Sequence, residues 1–178
     1  MAETDEQTFA DARAGDAAAF NALLGPILDP AFRVAVLVLG DPTEAEDAVQ
    51  EAALRAWGKL RQLRGGRAVF RAWFLRIVVN ECRMVRRRPW WAVLRVAAPH
   101  VSRDFFGEDA AVRRLDLREA LAALSEPDRV ALFLYYYLDL PIEEVARVLG
   151  VSVNGSKSRI HRALLRLRPD LEMEEVTP

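Results

Sequence analysis

The sequence predicts an all-α protein of two small helical domains joined by a linker, and three observations carry that expectation. Apolar residues recur at spacings of three and four along most of the chain. No run of alternating Val, Ile and Thr bounded by tight-turn dipeptides occurs, which removes the usual signal for strands. Residues 89–110 have no sustained period, carry mixed charge and contain Pro89, Pro99 and Gly107. The expected organisation is therefore a first domain over 1–88, a linker over 89–110, a second domain over 111–171 containing a helix-turn-helix, and a short tail over 172–178.

Composition narrows the class. A chain of 178 residues can hold two units that each bury a core. Its apolar fraction of 52% and charged fraction of 29% match globular proteins and exclude a disordered or fibrous chain. The acidic residues 1–16 lack the basic, apolar and small-residue regions of a signal peptide. Apolar stretches such as 34–39 fall far short of the roughly 20 residues that span a bilayer, so no membrane insertion is expected. The lone Cys82 cannot form an internal disulfide and fits a reducing compartment. A cytoplasmic location is the expectation.

A formal net charge of −1 conceals two opposed segments. Residues 1–58 carry eleven acids against Arg13, Arg33 and Arg55. Residues 59–103 carry twelve Lys and Arg against the single acid Glu81. An acidic front followed by a basic middle is a cue for polyanion binding on one surface, and solvated helix faces would give the same charges.

The first predicted helix starts at Asp41-Pro42-Thr43-Glu44. Asp41 can accept from free amides, proline suits the first helical position, and Glu44 stands three residues after the cap. The helix runs to about residue 60, with Ala45, Ala48, Val49, Ala52, Ala53, Ala56 and Trp57 inward and Glu46, Asp47, Gln50, Glu51 and Arg55 outward. Gly65-Gly66 interrupts the pattern. A helix over about 68–88 should bury Phe70, Trp73, Phe74, Ile77, Val78 and Cys82 and end in Arg86-Arg87-Arg88, where cations favour the helix dipole. Trp90-Trp91 is unusual for a free linker, because indoles favour burial.

The second domain should open with a helix over 112–124. Ser125-Glu126-Pro127-Asp128 then caps another, with Asp128 at the reciprocal position of a capping box. That helix carries Val130, Leu132, Phe133, Leu134, Tyr136 and Tyr137 and stops before Pro141.

Residues 141–149 make a short helix, Gly150 supplies a left-handed C-cap, and Ser152 caps a helix over 153–167. This is a helix-turn-helix. Ile142, Val145, Leu149 and Val151 face inward, as do Ile160, Ala163, Leu164 and Leu167 on the second helix. Asn154, Lys157, Ser158, His161 and Arg162 recur on another face, where polar side chains can reach base edges in a major groove, while Arg159 and Arg166 suit phosphates. An ordinary helical hairpin with a solvated face would have the same pattern.

Catalytic chemistry has little to build on. His100 and His161 stand in unrelated contexts, no metal-ligand cluster or phosphate-cradling glycine motif occurs, and Cys82 lies in an apolar stripe. The tyrosines Tyr135, Tyr136 and Tyr137 straddle a helix as core and surface. No enzyme activity, metal or cofactor is expected.

Three stretches carry a resemblance. They are Leu39-Gly40-Asp41-Pro42-Thr43-Glu44-Ala45-Glu46-Asp47-Ala48-Val49-Gln50-Glu51, then Phe70-Arg71-Ala72-Trp73-Phe74-Leu75-Arg76-Ile77-Val78-Val79-Asn80, then Leu149-Gly150-Val151-Ser152-Val153-Asn154-Gly155-Ser156-Lys157-Ser158-Arg159-Ile160-His161-Arg162-Ala163. In that order the chain resembles an extracytoplasmic-function sigma factor, the short class of the bacterial sigma-70 family. The likeness covers about 9–88 and 115–167 and implies a transcription initiation factor that directs core RNA polymerase to promoters by reading −10 and −35 elements.

By that likeness Asp47, Gln50 and Glu51 would contact the clamp helices of the largest polymerase subunit. The loop 63–69 would accept a base flipped from the non-template strand, with Arg61, Arg64, Arg67 and Arg71 on its phosphates and Asn80 nearby. Arg64-Gly65-Gly66-Arg67 also reads as a plain solvated loop, or as one copy of a disordered-type RNA-binding motif. Asn154, Lys157, Ser158, Arg159, His161 and Arg162 would meet the −35 element. An anti-sigma factor is a further partner the family often uses, and Trp90-Trp91 is a candidate contact for it. Ser156 replaces an aliphatic anchor of that family, and Asn154-Gly155 replaces Gly-Thr. Because helical Gly costs about 0.5–1 kcal/mol relative to Ala, the first turn of the recognition helix is expected to be loose. A helix-turn-helix regulator that binds DNA without polymerase explains only the second domain, and an adaptor that uses the same surfaces only for protein contacts is a third class.

Overall fold

The computed structural model of the chain describes residues 2–88, 121 and 123–172. Seven α-helices are named here: α1 (Ala2–Ala14), α2 (Ala17–Leu39), α3 (Pro42–Lys59), α4 (Phe70–Arg86), α5 (Glu126–Leu132), α6 (Ile142–Leu149) and α7 (Val153–Glu172). No strand occurs among the described residues, in line with the all-α expectation. The linker expected over 89–110, the Trp90-Trp91 pair and most of the helix expected over 112–124 lie outside the described residues.

Helix α2 is the spine of the N-terminal half. Asp16 accepts from Ala18 N and Ala19 N at its start, and Gly40, at φ 75°, returns its N–H to Val36 O at its end. At 23 residues it is long and apolar enough to cross a bilayer, which the short uninterrupted runs in the sequence did not suggest. Its apolar side chains go instead into the core, where Leu37, Val38 and Leu39 are all buried. Pro26 and Pro30 sit inside it. Each removes a helical hydrogen bond, a loss of about 3 kcal/mol, and burial of the surrounding Phe20, Leu23, Leu24 and Ile27 at about 1.5–3 kcal/mol each outweighs it.

Helices α3 and α4 pack on α2 and on each other. The alanines Ala45, Ala48, Ala52 and Ala56 are buried, and their small side chains let the α3 backbone come close to its neighbours. Trp57 departs from the expected inward stripe: it is more than a third exposed and leans on Phe20 with ring centroids 5.0 Å apart. The indole is too large for the narrow space the alanines leave.

In the C-terminal half the cap of α5 is as expected, with Ser125 Oγ accepting from Asp128 N. A π-turn over Phe133–Tyr137 follows, closed by Leu138 N donating to Phe133 O at 3.0 Å. Its extra residue shifts the helical phase, so Leu138 and Leu140 are buried, and the tyrosines expected to straddle core and surface are all exposed, Tyr136 and Tyr137 most of all. Tyr137 instead stacks on Phe133 at 4.6 Å, with the Arg33 guanidinium 5.8 Å from its ring centre.

The two halves are docked. Helix α4 packs along α6, and α2 touches α5, so that buried residues from Phe9 to Leu167 form one continuous apolar cluster.

Candidate nucleic-acid and protein interfaces

Helix α3 presents the acidic surface. Asp41 caps it by accepting from Thr43 N at 2.8 Å and Glu44 N at 3.0 Å, and Arg55 fixes it to α4 through Glu81 at 3.0 Å. Arg55 is thus engaged with a buried carboxylate rather than simply solvated. Burial pushes the Glu81 carboxyl above its ordinary value, with Arg55 opposing the shift. Glu46, Asp47, Gln50 and Glu51 are exposed, and Gln50 Nε2 lies 3.5 Å from Glu46 Oε1. Leu54, absent from the predicted set, is 67% exposed in the same row. Its spacing of four from Gln50 and three from Glu51 was the available signal. The surface therefore combines carboxylates with one prominent apolar side chain.

The basic segment follows. Gly65 (φ 97°) and Gly66 (φ 67°) turn the chain between α3 and α4, and a Cβ at Gly65 would stand 3.1 Å from a methyl of Val69. Arg64 is exposed. Arg61 Nη2 lies 3.4 Å from Ala14 O, and Arg13 Nη2 donates to Arg61 O at 3.2 Å, which ties the loop to the end of α1. Arg67 is half-buried. Arg71 Nη2 donates to the Leu138 carbonyl of the C-terminal half at 3.0 Å. Asn80 is exposed on α4, but nine residues beyond Arg71 it lies about 13 Å along the axis and half a turn around it. The structure does not bring those two side chains together.

The helix-turn-helix is built as its caps dictate. Gly150 adopts φ 70° and ψ 36°, with its N–H bonded to Ala146 O. Ser152 Oγ accepts from Gly155 N at 3.1 Å, and Ser152 O accepts from Ser156 N at 3.0 Å. The first turn of α7 is thus closed rather than loose. A Cβ at position 155 would stand 3.3 Å from Ser152 Oγ, the atom that accepts from Gly155 N. Ser156, Ile160, Ala163 and Leu167 form the buried stripe, while Leu164, expected inside, is exposed. Spacings of four, three and four complete that stripe without it. Ser156 is fully buried and its Oγ has no hydrogen-bond partner among the described residues.

Asn154, Lys157, Ser158, His161 and Arg162 are all exposed on α7. Arg159 is turned to one flank, its Nη1 3.8 Å from Asp128 Oδ1, and Arg162 Nη2 stands 3.5 Å from the same oxygen. The Asp128 carboxylate therefore does not close a capping box. It faces Arg159 and Arg162 on α7, 31 and 34 residues further on, and no local pattern could have shown this. No group of three or more His, Cys, Asp or Glu able to hold a metal occurs among the described residues.

A capped helix-turn-helix with an open polar face, docked on a helical unit with an acidic helix and a basic loop, defines a DNA-binding transcription factor that has a second macromolecular partner. Residues 25–92 match the family model for sigma-70 region 2, and residues 114–167 match that for sigma-70, region 4. The ECF RNA polymerase sigma factor SigL of Mycobacterium tuberculosis is 32% identical over 171 residues, covering 93% of this chain and 96% of the relative. The RNA polymerase sigma-E factor of Streptomyces avermitilis is 30% identical over 154 residues, covering 83% and 82%. Among solved structures, CnrH in complex with the cytosolic domain of CnrY aligns with a TM-score of 0.68 at 26% identity, covering 95% of this chain and 97% of that one. The sigma factor RpoE, in complex with the anti-sigma factor NepR from Bartonella quintana, has the same fold, with a TM-score of 0.67 at 24% identity, covering 86% and 96%.

The chain belongs to the sigma-70 family of RNA polymerase sigma factors, in its extracytoplasmic-function class. It is a transcription initiation factor that works with core RNA polymerase at specific promoters, and its family is one of non-catalytic transcription factors. A regulator acting without polymerase is not favoured, because the match to region 2 would have no purpose in it.

Proposed function

We propose that the three surfaces divide promoter recognition among themselves in the cytoplasm. The outer face of α3, with Asp47, Gln50, Glu51 and the exposed Leu54, docks on core polymerase. Arg61, Arg64, Arg67 and Arg71 hold the phosphates of the melted −10 strand, and Asn80 contacts it further along α4. Asn154, Lys157, Ser158, His161 and Arg162 of α7 enter the major groove of the −35 element, with Arg159 on its flank. The units over 1–88 and 111–171 act as separate recognition modules, and the chain itself performs no catalysis.

The observation that carries this reading is the split of α7. Its stripe of Ser156, Ile160, Ala163 and Leu167 is buried, while the polar residues between them stand open. A helix held by one side with its other side free is what a groove reader needs.

The docked arrangement is a state before promoter engagement. Elements centred about 25 base pairs apart are separated by about 85 Å of B-DNA at 3.4 Å per pair. A compact chain of this length has a radius of gyration of about 16 Å and cannot reach both. Arg71, bonded to the Leu138 carbonyl through Nη2, ties the −10 segment to the C-terminal half in this state. A partner that grips both halves, in the manner of an anti-sigma factor, would favour the docked state.

The test is to mix the full chain with core RNA polymerase and fragmented genomic DNA and to map transcript starts. Starts that require the chain and share upstream and downstream elements support the reading. Failure of polymerase to initiate, or duplex binding indifferent to polymerase, overturns it.

A further inference from the structure

We propose that Asp128 is a positioning residue for promoter reading, whose buried carboxylate holds Arg162 in its reading orientation and restrains Arg159 from binding phosphate without regard to sequence. The proposal rests on the assignment of α7 to the −35 element and adds a residue outside that helix to it.

Asp128 is 4% exposed and sits in the first turn of α5. Its backbone N–H is already used, donating to Ser125. The carboxylate points to α7, where Oδ1 lies 3.5 Å from Arg162 Nη2 and 3.8 Å from Arg159 Nη1. A buried carboxylate requires positive partners, and residues 159 and 162, three apart on one face of a helix, supply two.

The two arginines are not equivalent. Arg162 keeps 51% of its side chain exposed, whereas Arg159 keeps 28%. A guanidinium carries five N–H donors in a rigid plane, so Arg162 can touch Asp128 through Nη2 and still present its other edge outward. Anchoring one edge fixes the plane of the fork before DNA arrives, which reduces the orientational freedom lost on forming a bidentate base contact. Arg159 lies further under cover, and its charge is offset by the same oxygen. The flank thus presents a net charge of about one rather than two.

Removing the carboxylate without changing its size separates positioning from packing. Holoenzyme assembled from core polymerase and the full chain, wild type or Asp128→Asn, is allowed to select from a duplex library randomised over the upstream window. Its binding to unselected duplex is measured against salt. Asp128→Asn is expected to flatten the selected upstream motif by roughly five- to tenfold, in the range of one bidentate contact. It should also tighten binding to unselected duplex and steepen its logarithmic salt dependence by about 0.9, the value for one additional phosphate contact. In an Arg162→Gln background the same change should not flatten the motif further, whereas a merely structural role would make the two losses independent. Asp128→Glu should restore part of the selectivity.

If Asp128→Asn does not fold at the assay temperature, Arg159→Gln tests the proposal alone. It leaves the carboxylate wholly to Arg162 and removes an arginine already held from phosphate, so the motif should stay sharp and the salt dependence of binding to unselected duplex should stay near wild type. Loss of the motif in Arg159→Gln, or an unchanged motif and salt dependence in folded Asp128→Asn, overturns the proposal. Wild-type holoenzyme that enriches no upstream motif overturns the assignment of α7 itself.

Discussion

Arg86 Nη1 stands 2.9 Å from Glu126 Oε2 at the junction of the two halves, while Arg83 Nε lies 3.4 Å from the other oxygen of the same carboxylate. One acid at the start of α5 therefore receives two cations from the last turns of α4. The group is mostly shielded, since Glu126 keeps 14% of its side chain exposed. Glu126→Gln is expected to weaken docking by about 1–2 kcal/mol, between the values for exposed and buried pairs. The population of undocked chains should rise roughly five- to thirtyfold. A larger radius of gyration in X-ray scattering, more pronounced at high salt, checks this; an unchanged radius would assign the docking to apolar contacts alone.

Asp47 and Glu51 are both exposed and one turn apart on α3. Reversing both to Lys leaves the buried alanine stripe untouched, so circular dichroism and melting should stay near wild type. Association with core polymerase should be abolished, because the reversed face repels the surface it is proposed to meet. Normal co-purification of the double variant with polymerase would place the docking face elsewhere.

Arg162 combines an exposed edge with an anchored one. Arg162→Ala is expected to weaken discrimination between the native upstream element and a scrambled one by about 1–3 kcal/mol if its contact is bidentate. Initiation assays on paired templates measure this, and equal activity on both templates in the variant, with wild type unequal, is the expected extreme. Unchanged discrimination would remove Arg162 from the reading face.

Ser156 places in the core a hydroxyl that has no partner among the described residues. Burying such a group costs about 1–3 kcal/mol in proteins, and alanine is the better helix former. Ser156→Ala should therefore stabilise the protein by about 1 kcal/mol and raise its melting temperature by about 2–4 °C. Calorimetry decides the matter: a lower melting temperature would mean that the hydroxyl is partnered in solution.

Cys82 is fully buried, and burial pushes its thiol up to about 12. The thiolate is the reactive form, so alkylation at neutral pH should be negligible in the folded protein and complete in denaturant. Its labelling rate then follows opening of the α4 core. Rapid labelling under native conditions would show that α4 is transiently released without global unfolding.

The sequence by itself determined the local elements. Asp41, Ser125, Gly150 and Ser152 cap as their residue types dictate, because a cap bonds to amides or carbonyls within a few positions of itself. The alanine stripe of α3 and the stripe through Ile160 and Ala163 follow from helical period, and the family likeness followed from three such segments in order. Tertiary structure decided what depends on neighbours distant in sequence. It turned Trp57 and Leu164 outward, where space ran out or a smaller residue completed the stripe. The π-turn rotated Tyr136 and Tyr137 to the surface, and Arg71 found the Leu138 carbonyl. Asp128 had the spacing of a capping residue, and a local reading assigned it that task. A carboxylate leaving water takes the partners that best offset its lost hydration, and for Asp128 those are two arginines on another helix, which only packing brings within reach.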